Sequence, residues 1–436
     1  MHTHVFNEVE RLEQVIVHRP GAEIERMTQH DLESLLFDDL LSPSETEREH
    51  IMMCEILEAG GAEVIEIRDQ LQLALHQAPR TEREQFVQRC CDLAGSSQIA
   101  PLIQDWPAKT LAGGLIHGLR WDEIDGAPGT LARLRDDARR GNAMVLPPVP
   151  NLMFMRDPCI AIYDSIVVGR MATEARARES LLVSFALRWG QTSAPPRFVF
   201  DQDERKPAPG HHTIEGGDIL VLSDEVLMIG CSQRSSPQCI QHLVEDTLFP
   251  AHPRLKRVYV VMMPQARSVM HLDTILTQVD RHLFLGHRPM IDDGVRGSCL
   301  SVALLSRDAA PTMLNNATVL DVLRNEFGSE VDLHPCGGDN PLYQEREQWT
   351  DGANAVCLAP GHIILYARNV ETIRTLRDRG FEEVCLNVFQ PSDVRRERIR
   401  EGMARSRCVF SFSGSELSRA RGGGRCLTMP LRRAAH

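Results

Sequence analysis

Apolar and polar positions in the first 70 residues predict a strand, a helix and a second strand. The run from Leu12 to His18 is apolar at most positions and is typical of a strand. A helix is predicted to begin after Ser42, because a proline follows and Glu45 completes a capping box with Ser42. The helix is predicted to end at Gly60-Gly61, and residues 62–67 form the next predicted strand.

Residues 72–140 predict helices instead of strands. Thr81 and Glu84 form a second capping-box pattern. The apolar side chains that follow are spaced as one helical face, namely Phe86, Val87, Cys90, Cys91 and Leu93. The charged run 129–140 is again typical of a helix. Because strand-like runs are scarce here, this part of the chain is predicted to be a helical insertion in an otherwise mixed fold.

From Pro147 onward, short apolar runs alternate with helical segments. The predicted strands are 165–168, 219–222, 226–229, 258–263, 283–285 and 362–366, and the predicted helices include 178–186 and 370–379. This alternation predicts the α/β class and excludes all-α and all-β folds. By itself it does not separate an open sheet from a closed propeller of repeats. No glycine-rich phosphate-binding pattern occurs, so a nucleotide cofactor is not indicated.

The charge balance of the chain argues against some classes of binding partner. The chain has 48 Lys and Arg against 60 Asp and Glu, a formal net charge of −12. An acidic surface disfavours nucleic acid and anionic membranes and mildly favours small cationic substrates. The N-terminus has no signal-peptide pattern, and no apolar run is long enough to span a membrane. The 12 cysteines are not spaced as a zinc site or a disulfide scaffold. We therefore expect a cytoplasmic, reduced protein with no membrane or nucleic-acid partner.

Cys426 has unusual neighbours for a cysteine. Three glycines at 422–424 precede it, and Arg419, Arg421 and Arg425 lie in the same segment. A cysteine is most often a small buried hydrophobic residue. Here, however, the glycines leave backbone amides open and the arginines predict a positive potential that favours thiolate. The segment therefore predicts a nucleophile.

Three upstream motifs carry polar groups that suit such a nucleophile. His271 is followed two residues later by Asp273, which in a strand would lie on the same face and tune the histidine as a general acid and base. Glu215-Gly-Gly-Asp218 and Arg156-Asp157-Pro158 add carboxylates, although each pattern is also compatible with a turn. The similar stretch Cys336-Gly-Gly-Asp339 is interpreted as structural.

In this combination and order, the motifs resemble those of the arginine deiminase family, within the guanidine-modifying (pentein) superfamily. The resemblance covers nearly the whole chain. It rests on Val17-His-Arg-Pro-Gly21, Leu35-Leu-Phe-Asp-Asp39, Asn151-Leu-Met-Phe-Met-Arg-Asp-Pro158, Glu215-Gly-Gly-Asp218, His271-Leu-Asp-Thr274, Arg346-Glu-Gln-Trp349 with Asp351-Gly352, and Gly414-Ser-Glu-Leu-Ser418 through Cys426 to Pro430.

The resemblance implies a fold and an activity. The fold is a five-bladed α/β propeller of ββαβ modules, a single catalytic domain over 1–436 with a helical subdomain, 72–140, inserted after the first module. The activity is the hydrolysis of L-arginine to L-citrulline and ammonia in arginine degradation. The resemblance further implies no metal and no organic cofactor. We also expect a homo-oligomer.

The resemblance also implies a role for each of five catalytic residues. Cys426 would attack the guanidinium carbon, and His271 would protonate the departing ammonia and then deprotonate water. Glu215 would orient His271. Asp157 and Asp273 would each accept hydrogen bonds from the guanidinium, a planar cation that pairs well with carboxylates.

The resemblance also implies which residues contact the amino-acid end of the substrate. The resemblance places Asn151, Arg176, Arg234 and Arg421 at the substrate tail and Leu36 at the rim of the pocket. Glu174-Ala-Arg176 departs from the family pattern Pro-Ala-Arg, which leaves Arg178 as an alternative to Arg176. Ala420 replaces a family glycine, and segment 387–409, with a charged helix predicted at 395–405, is longer than usual.

Three alternative functions remain open from the sequence. The nearest is a related guanidino-group hydrolase or amidinotransferase that acts on agmatine, methylated arginine, or arginine through to ornithine. The second is a binding protein with a decayed site, which the intact set of five groups disfavours. The third is a metal hydrolase using His211-His212 or His2 and His4, which lack acidic or cysteine partners at ligand spacing.

Overall fold

The computed structural model describes residues 2–126, 144–190, 195–201, 212–292 and 299–435. These residues mix strands and helices throughout, which confirms the α/β class. The strands are β1 Leu12–Val17, β2 Glu63–Glu66, β3 Leu119–Arg120, β4 Met144–Leu146, β5 Cys159–Ile162, β6 Ser165–Val168, β7 Arg197–Asp201, β8 Ile219–Val221, β9 Val226–Cys231, β10 Arg257–Met262, β11 Leu276–Asp280, β12 Leu283–Gly286, β13 Ser301–Ser306, β14 Ala309–Leu314, β15 Asp332–Pro335, β16 Val356–Ala359, β17 His362–Tyr366, β18 Glu382–Cys385, β19 Cys408–Phe412 and β20 Met429–Arg433.

Helices connect many of these strands. Their bounds are Ala22–Glu25, Leu32–Leu35, Pro43–Ala59, Ile67–Gln77, Arg80–Leu93, Ala100–Ile103, Ala108–His117, Ala177–Trp189, Pro237–Leu243, Phe249–Ala251, Arg288–Ile291, Val319–Phe327, Pro341–Trp349, Val370–Asp378 and Ser392–Met403. In the described part of the chain, no helix combines the length and apolar character needed to cross a membrane.

One strand arrangement recurs five times. Two antiparallel strands are followed by a third strand that is parallel to the second: β20-β1-β2, β5-β6-β7, β8-β9-β10, β11-β12-β15 and β16-β17-β19. A parallel strand needs a long crossover, and a helix supplies it in each unit. Strands β13 and β14 extend the third sheet beyond β10, and β18 pairs with β19 at the edge of the last.

The first unit joins the two ends of the chain. Strand β20 pairs antiparallel with β1, with Val15 opposite Pro430 and Ile16 opposite Met429. Because Cys426 lies just before β20, this pairing brings the C-terminal loop beside the N-terminal unit.

The helices after β2 share a core with the unit β5-β6-β7. The Phe86 ring stacks on Phe185, with ring centroids 3.9 Å apart, and both residues are buried. The first insertion helix begins at Ile67, before the predicted boundary at residue 72. Leu93, predicted on the buried face, is 48% exposed because it is the last residue of its helix. The predicted helix 129–140 lies outside the described residues.

Both predicted capping boxes are wrong. The Ser42 hydroxyl makes no cap hydrogen bond, although Pro43 does occupy the first turn, and Glu45 pairs with Arg48 instead. Thr81 lies inside its helix, which begins at Arg80. In both cases the acidic side chain finds an arginine on its own helix, a neighbour that the capping pattern does not consider.

Candidate active site

Six polar side chains converge because each precedes the first strand of a repeated unit. Asp157 lies before β5, Glu215 before β8, His271 and Asp273 before β11, Asn354 before β16, and Cys426 before β20. All six are buried, with exposed fractions of 5% or less. Equivalent ends of five units therefore meet at one place, although the residues are far apart in the sequence.

His271 lies between two carboxylates. Its Nε2 is 2.9 Å from Glu215 Oε2, and its Nδ1 is 3.8 Å from Asp157 Oδ1. Burial alone would lower the pKa of His271, but the charges of Asp157, Asp218 and Glu215 and the hydrogen bond to Glu215 raise it to about 9. The imidazole is therefore protonated near neutral pH.

The pKa of Glu215 moves in the opposite direction. Burial opposes its ionisation, but the hydrogen bond to His271 and the charges of Arg176 and Arg234 lower the pKa to about 2. Glu215 is thus ionised and pairs with the protonated His271, and this ion pair keeps the imidazole in one orientation.

Gly217 allows His271 and Asp157 to approach the backbone closely. A Cβ at this position would lie 2.6 Å from His271 Nδ1 and 2.9 Å from Asp157 Oδ1. The same backbone donates from Gly217 N to Asp157 Oδ1 at 3.0 Å. The Glu215-Gly-Gly-Asp218 motif is therefore part of the site as well as a turn.

Asp273 does not pair with His271, contrary to the prediction from their spacing. The two residues lie at the start of a 3₁₀ helix, Leu272–Thr274, and not in a strand. Their side chains therefore diverge, and Asp273 Oδ2 accepts a hydrogen bond from Arg425 Nη1 at 2.8 Å.

Cys426 lies in a negative environment. Its Sγ is 3.6 Å from Asp273 Oδ2, and burial together with the charges of Asp273, Asp157 and Asp351 raises the pKa of the thiol well above its ordinary value. Of the three arginines expected to favour thiolate, Arg425 does oppose this rise.

Neither of the other two arginines makes a hydrogen bond to Cys426, although Arg421 lines the same cavity as Cys426. Arg419 pairs with Asp39 and Glu416 at the surface. Arg421 stacks on Trp349, with its guanidinium carbon 3.5 Å from the ring centroid. The prediction of a positive potential around the free thiol was therefore wrong.

The residues predicted for the substrate tail line one cavity with the reacting groups. Leu36, Asn151, Arg176, Arg234 and Arg421 face the same space as Asp157, His271 and Cys426. That space is about 20 Å³, which is enough for a water molecule and too small for an amino acid. A substrate can enter only when side chains of the cavity move.

Two arginines of the cavity hold unused hydrogen-bond donors. Among the described residues, Arg234 Nη1 has no hydrogen-bond partner, and neither has Arg421 Nε or Nη1. Both side chains are largely buried, with exposed fractions of 4% and 7%. Buried donors of this kind are costly unless an acceptor completes them, and a carboxylate would do so.

The family model for arginine deiminase matches residues 33–433. That span contains every residue of the cavity. The chain belongs to the arginine deiminase family.

Curated arginine deiminases match the chain over almost its entire length. The enzyme of Bacillus cereus (strain B4264) is 32% identical over 446 aligned positions, covering 98% of both chains. That of Oenococcus oeni (strain ATCC BAA-331 / PSU-1) is 31% identical, covering 99% of this chain and 97% of the relative. A solved dimethylarginine dimethylaminohydrolase is 14% identical with a TM-score of 0.49, covering 96% and 99% of the two chains.

For this arginine deiminase family member, the structure distinguishes Arg176 from Arg178. Arg176 lines the cavity and pairs with Asp157 at 2.8 Å and with Glu179 at 2.7 Å. Arg178 donates to the carbonyl oxygens of Leu115 and Pro147, and so faces the helical insertion. Arg176 therefore occupies the position at the cavity.

Sequence reasoning gave no role at the site to Asn354, Asp218 or Asp351, and it named Arg425 only as a positive charge near Cys426. Asn354 contacts Cys426, Arg425 binds Asp273, and Asp218 accepts from Leu272 N at 2.9 Å beside His271. Asp351 is buried near Arg421 with neither carboxylate oxygen bonded among the described residues. The motifs Glu215-Gly-Gly-Asp218 and Asp351-Gly352, the second of which lies next to Asn354, were available signals in the sequence, but they indicated no role for Asp218, Asp351 or Asn354.

Among the described residues, one group of side chains is close enough together to hold a metal ion. It consists of Asp157, Glu215 and His271, whose potential ligand atoms lie within 4.8 Å of one another. These residues fit a metal ion poorly. A metal needs a deprotonated histidine, but the pKa of His271 is raised to about 9. Arg176 already places a positive charge 2.8 Å from Asp157. We derive no step through a metal.

Proposed function

We infer that the protein is an arginine deiminase, which hydrolyses L-arginine to L-citrulline and ammonia. The observation that carries this inference is one cavity with two complementary ends. Cys426, His271 and Asp157 line one part of it, and Arg234 and Arg421 offer unused donors in the same space. The first end suits a guanidinium, and the second suits the carboxylate of an amino acid.

Cys426 is proposed as the nucleophile. A neutral thiol is a poor nucleophile, and the pKa of Cys426 in the free protein is raised well above its ordinary value by burial and by Asp273, Asp157 and Asp351. A guanidinium bound between those carboxylates offsets their negative charge. The substrate itself would therefore favour the thiolate at the moment when it is needed.

Asp157 and Asp273 are proposed to bind the guanidinium. Each already has an arginine partner, Arg176 and Arg425 respectively. Each carboxylate also reaches a reacting group, since Asp157 Oδ1 is 3.8 Å from His271 Nδ1 and the two oxygens of Asp273 are 3.6 Å and 3.8 Å from Cys426 Sγ. The resident arginines hold both carboxylates in a fixed orientation for a planar cation.

The proposed reaction has two balanced steps. The Cys426 thiolate forms a bond to the guanidinium carbon, and His271 gives its proton to one nitrogen, which leaves as ammonia. A thiouronium adduct on Cys426 remains, and His271 is neutral. His271 then takes a proton from water as its oxygen attacks the same carbon. Collapse expels the Cys426 thiolate and releases citrulline, and the hydroxyl proton passes to the released ammonia.

His271 suits both proton transfers. Near neutral pH it is protonated, as the first step requires. Glu215 is proposed to orient it through the 2.9 Å contact to Nε2, which leaves Nδ1 on the side of Asp157.

The substrate tail is proposed to bind Arg234, Arg421 and Asn151 near Leu36. For the α-carboxylate, Arg234 Nη1 and Arg421 Nε and Nη1 offer donors with no hydrogen-bond partner among the described residues, although Arg234 Nη1 lies 3.8 Å from Glu215 Oε1. Asn151 Nδ2 donates to Leu35 O at 2.7 Å and so ties the Leu36 loop to the cavity. Leu36 has a left-handed backbone, with φ of 66°. Arg176 lines the same cavity and pairs with Asp157.

We also propose how the five units are assembled. Five repeats whose equivalent ends meet at one site support a closed five-bladed propeller. We propose one catalytic domain over 1–436 with the helical insertion 72–140 as its subdomain. A homo-oligomer and a cytoplasmic location also stay predictions, tested by light scattering and by cell fractionation.

Product analysis tests the proposed function. L-arginine and agmatine are supplied separately to the protein and to Cys426→Ser, and citrulline, ornithine and ammonia are quantified. Equal amounts of citrulline and ammonia from L-arginine, absent in the variant, are expected. Ornithine as the main product, a preference for agmatine, or turnover that survives in Cys426→Ser would contradict the assignment.

A further inference from the structure

Asn354 is completely buried and bonds Cys426 twice. Its Nδ2 donates to Cys426 Sγ at 3.2 Å, and its Oδ1 accepts from Cys426 N at 3.0 Å. The remaining Nδ2 hydrogen goes to Asp273 O at 3.0 Å. One amide thus contacts the sulfur, the backbone of the same cysteine and the loop that carries Asp273.

The orientation of this amide follows from its partners. Cys426 N–H can only donate and Asp273 O can only accept, so Oδ1 must face the first and Nδ2 the second. With the amide in this orientation, the second N–H of Nδ2 points toward the sulfur. In the contact between Asn354 and Cys426, Nδ2 is therefore the donor and the sulfur is the acceptor.

The backbone on either side of Asn354 is held separately. Thr277 donates its hydroxyl to Ala353 O at 2.6 Å and accepts from Ala355 N at 3.3 Å. On the opposite side, a Cβ at Gly423 would lie 2.6–2.8 Å from Asn354 atoms. These contacts position Asn354 without touching the sulfur, so its structural support and its contact with Cys426 can be tested apart.

The charges that face the sulfur are mostly negative. Asp273, Asp157 and Asp351 oppose a thiolate, whereas Arg425 favours it and Arg421 adds a second positive charge that interacts with the sulfur. Arg425 is already shared between Asp273 and Glu8. In the described part of the chain, the Asn354 amide is the one hydrogen-bond donor that reaches Cys426 Sγ.

We propose that Asn354 is a catalytic residue, whose Nδ2–H donates to the Cys426 sulfur and favours the thiolate over the thiol. This proposal rests on the proposed function. A hydrogen bond to an ionised acceptor is stronger than one to a neutral acceptor, so the contact strengthens when the nucleophile forms. It weakens in the thiouronium adduct and strengthens again when the thiolate leaves. Asn354 therefore assists both steps at the sulfur.

The test compares Asn354→Ala and Asn354→Asp with Thr277→Val. Asn354→Ala removes the donor, and Asn354→Asp keeps the shape and an acceptor for Cys426 N–H. Thr277→Val loosens the same segment but leaves the amide in place. The rate at which iodoacetamide alkylates the Cys426 peptide is followed by mass spectrometry across pH, together with kcat and KM for L-arginine.

Both Asn354 variants are expected to move the alkylation profile to higher pH by about one unit or more. We expect kcat to fall about 10- to 100-fold, with KM within about threefold of the original. Thr277→Val is expected to leave the alkylation profile in place. An unchanged alkylation profile in both Asn354 variants, or an equal movement in Thr277→Val, would overturn the proposal.

The test of Asn354 can fail independently of the test of the proposed function. If the original protein forms no citrulline, the proposed function fails, while alkylation still reports on the contact between Asn354 and the sulfur. If citrulline forms and the Asn354 variants alkylate like the original protein, the function stands and the role of Asn354 fails.

Discussion

Asp273 and Arg425 form a buried ion pair in which Arg425 Nη1 lies 2.8 Å from Asp273 Oδ2. Arg425 precedes the proposed nucleophile, and Asp273 follows His271 by two residues, so the pair connects the two reacting loops. Arg425 also binds Glu8, with Nη2 3.0 Å from Oε1, and links both loops to the N-terminal segment. Although burial opposes ionisation of Glu8, the charges of Arg425 and Arg156 lower its pKa to about 2.

Arg425→Met should therefore destabilise the fold strongly. The substitution keeps an unbranched side chain but leaves Glu8 and Asp273 buried without their cation. A broken buried pair costs about 3–5 kcal/mol of unfolding free energy. Urea denaturation followed by circular dichroism measures this loss. Arg419→Met is the matched control in the same segment, because Arg419 is 38% exposed, and it should cost less than about 1 kcal/mol. Equal losses in the two variants would contradict this account.

The pH profile should show His271 as the acid. Asp157, Glu215 and Asp218 raise its pKa to about 9 against the effect of burial, so the required imidazolium is lost as pH rises through about 9. The alkaline limb of kcat/KM, which reports the free enzyme, should lie there. In Glu215→Gln the hydrogen-bonded anion is gone, so the limb should move to lower pH. A limb that stays in place in this variant would contradict the role given to Glu215.

Asp351→Asn should make the free thiol more reactive. Asp351 is one of three carboxylates that raise the pKa of Cys426, and asparagine tolerates the left-handed backbone found there, with φ of 62°. Removing this charge lowers the pKa of the thiol and increases the thiolate fraction near neutral pH. Iodoacetamide should then alkylate Cys426 about 3- to 10-fold faster at pH 7.5. A slower reaction would show that Asp351 acts in the opposite way.

Arg234→Leu and Arg421→Leu should weaken recognition of the α-carboxylate. Each removes donors that are unbonded among the described residues. We expect kcat/KM for L-arginine to fall about 10- to 100-fold, with much smaller changes for agmatine, which has no carboxylate. Steady-state kinetics with both substrates measures the ratio.

Arg178→Leu provides the control for these variants. Arg178 is buried, but it binds carbonyl oxygens of Leu115 and Pro147 outside the cavity. Loss of Arg178 should lower thermal stability and leave KM for L-arginine within about threefold of its original value. A larger increase in KM than in Arg234→Leu would contradict the proposal that Arg234, and not Arg178, binds the substrate tail.

The strands and the convergent loops were largely predictable, because apolar runs of strand length report burial directly. Strands 165–168 and 362–366 were predicted at their observed bounds. The pairing of Asp273 with Arg425 was not predictable, since it depends on a turn that separates Asp273 from His271. The negative potential at Cys426 was missed for a related reason. Sequence neighbours such as Arg419 point to the surface, while distant carboxylates reach the sulfur through the fold.

The role of Asn354 was also not predictable from its neighbours in the sequence. An asparagine after Asp351-Gly352 has the character of a loop residue in the sequence. Its role depends on the chain end β20 returning to pair with β1, which places Cys426 beside the loop before β16. No local pattern contains that information.

The proposed reaction begins when Cys426 attacks the guanidinium carbon of arginine. Acid quenching within a single turnover, followed by mass spectrometry of the Cys426 peptide, tests this most directly. We expect an added mass equal to L-arginine minus ammonia on Cys426, which forms and decays at the rate of citrulline production. Citrulline formation at full rate with Cys426 unmodified at every time point would contradict it.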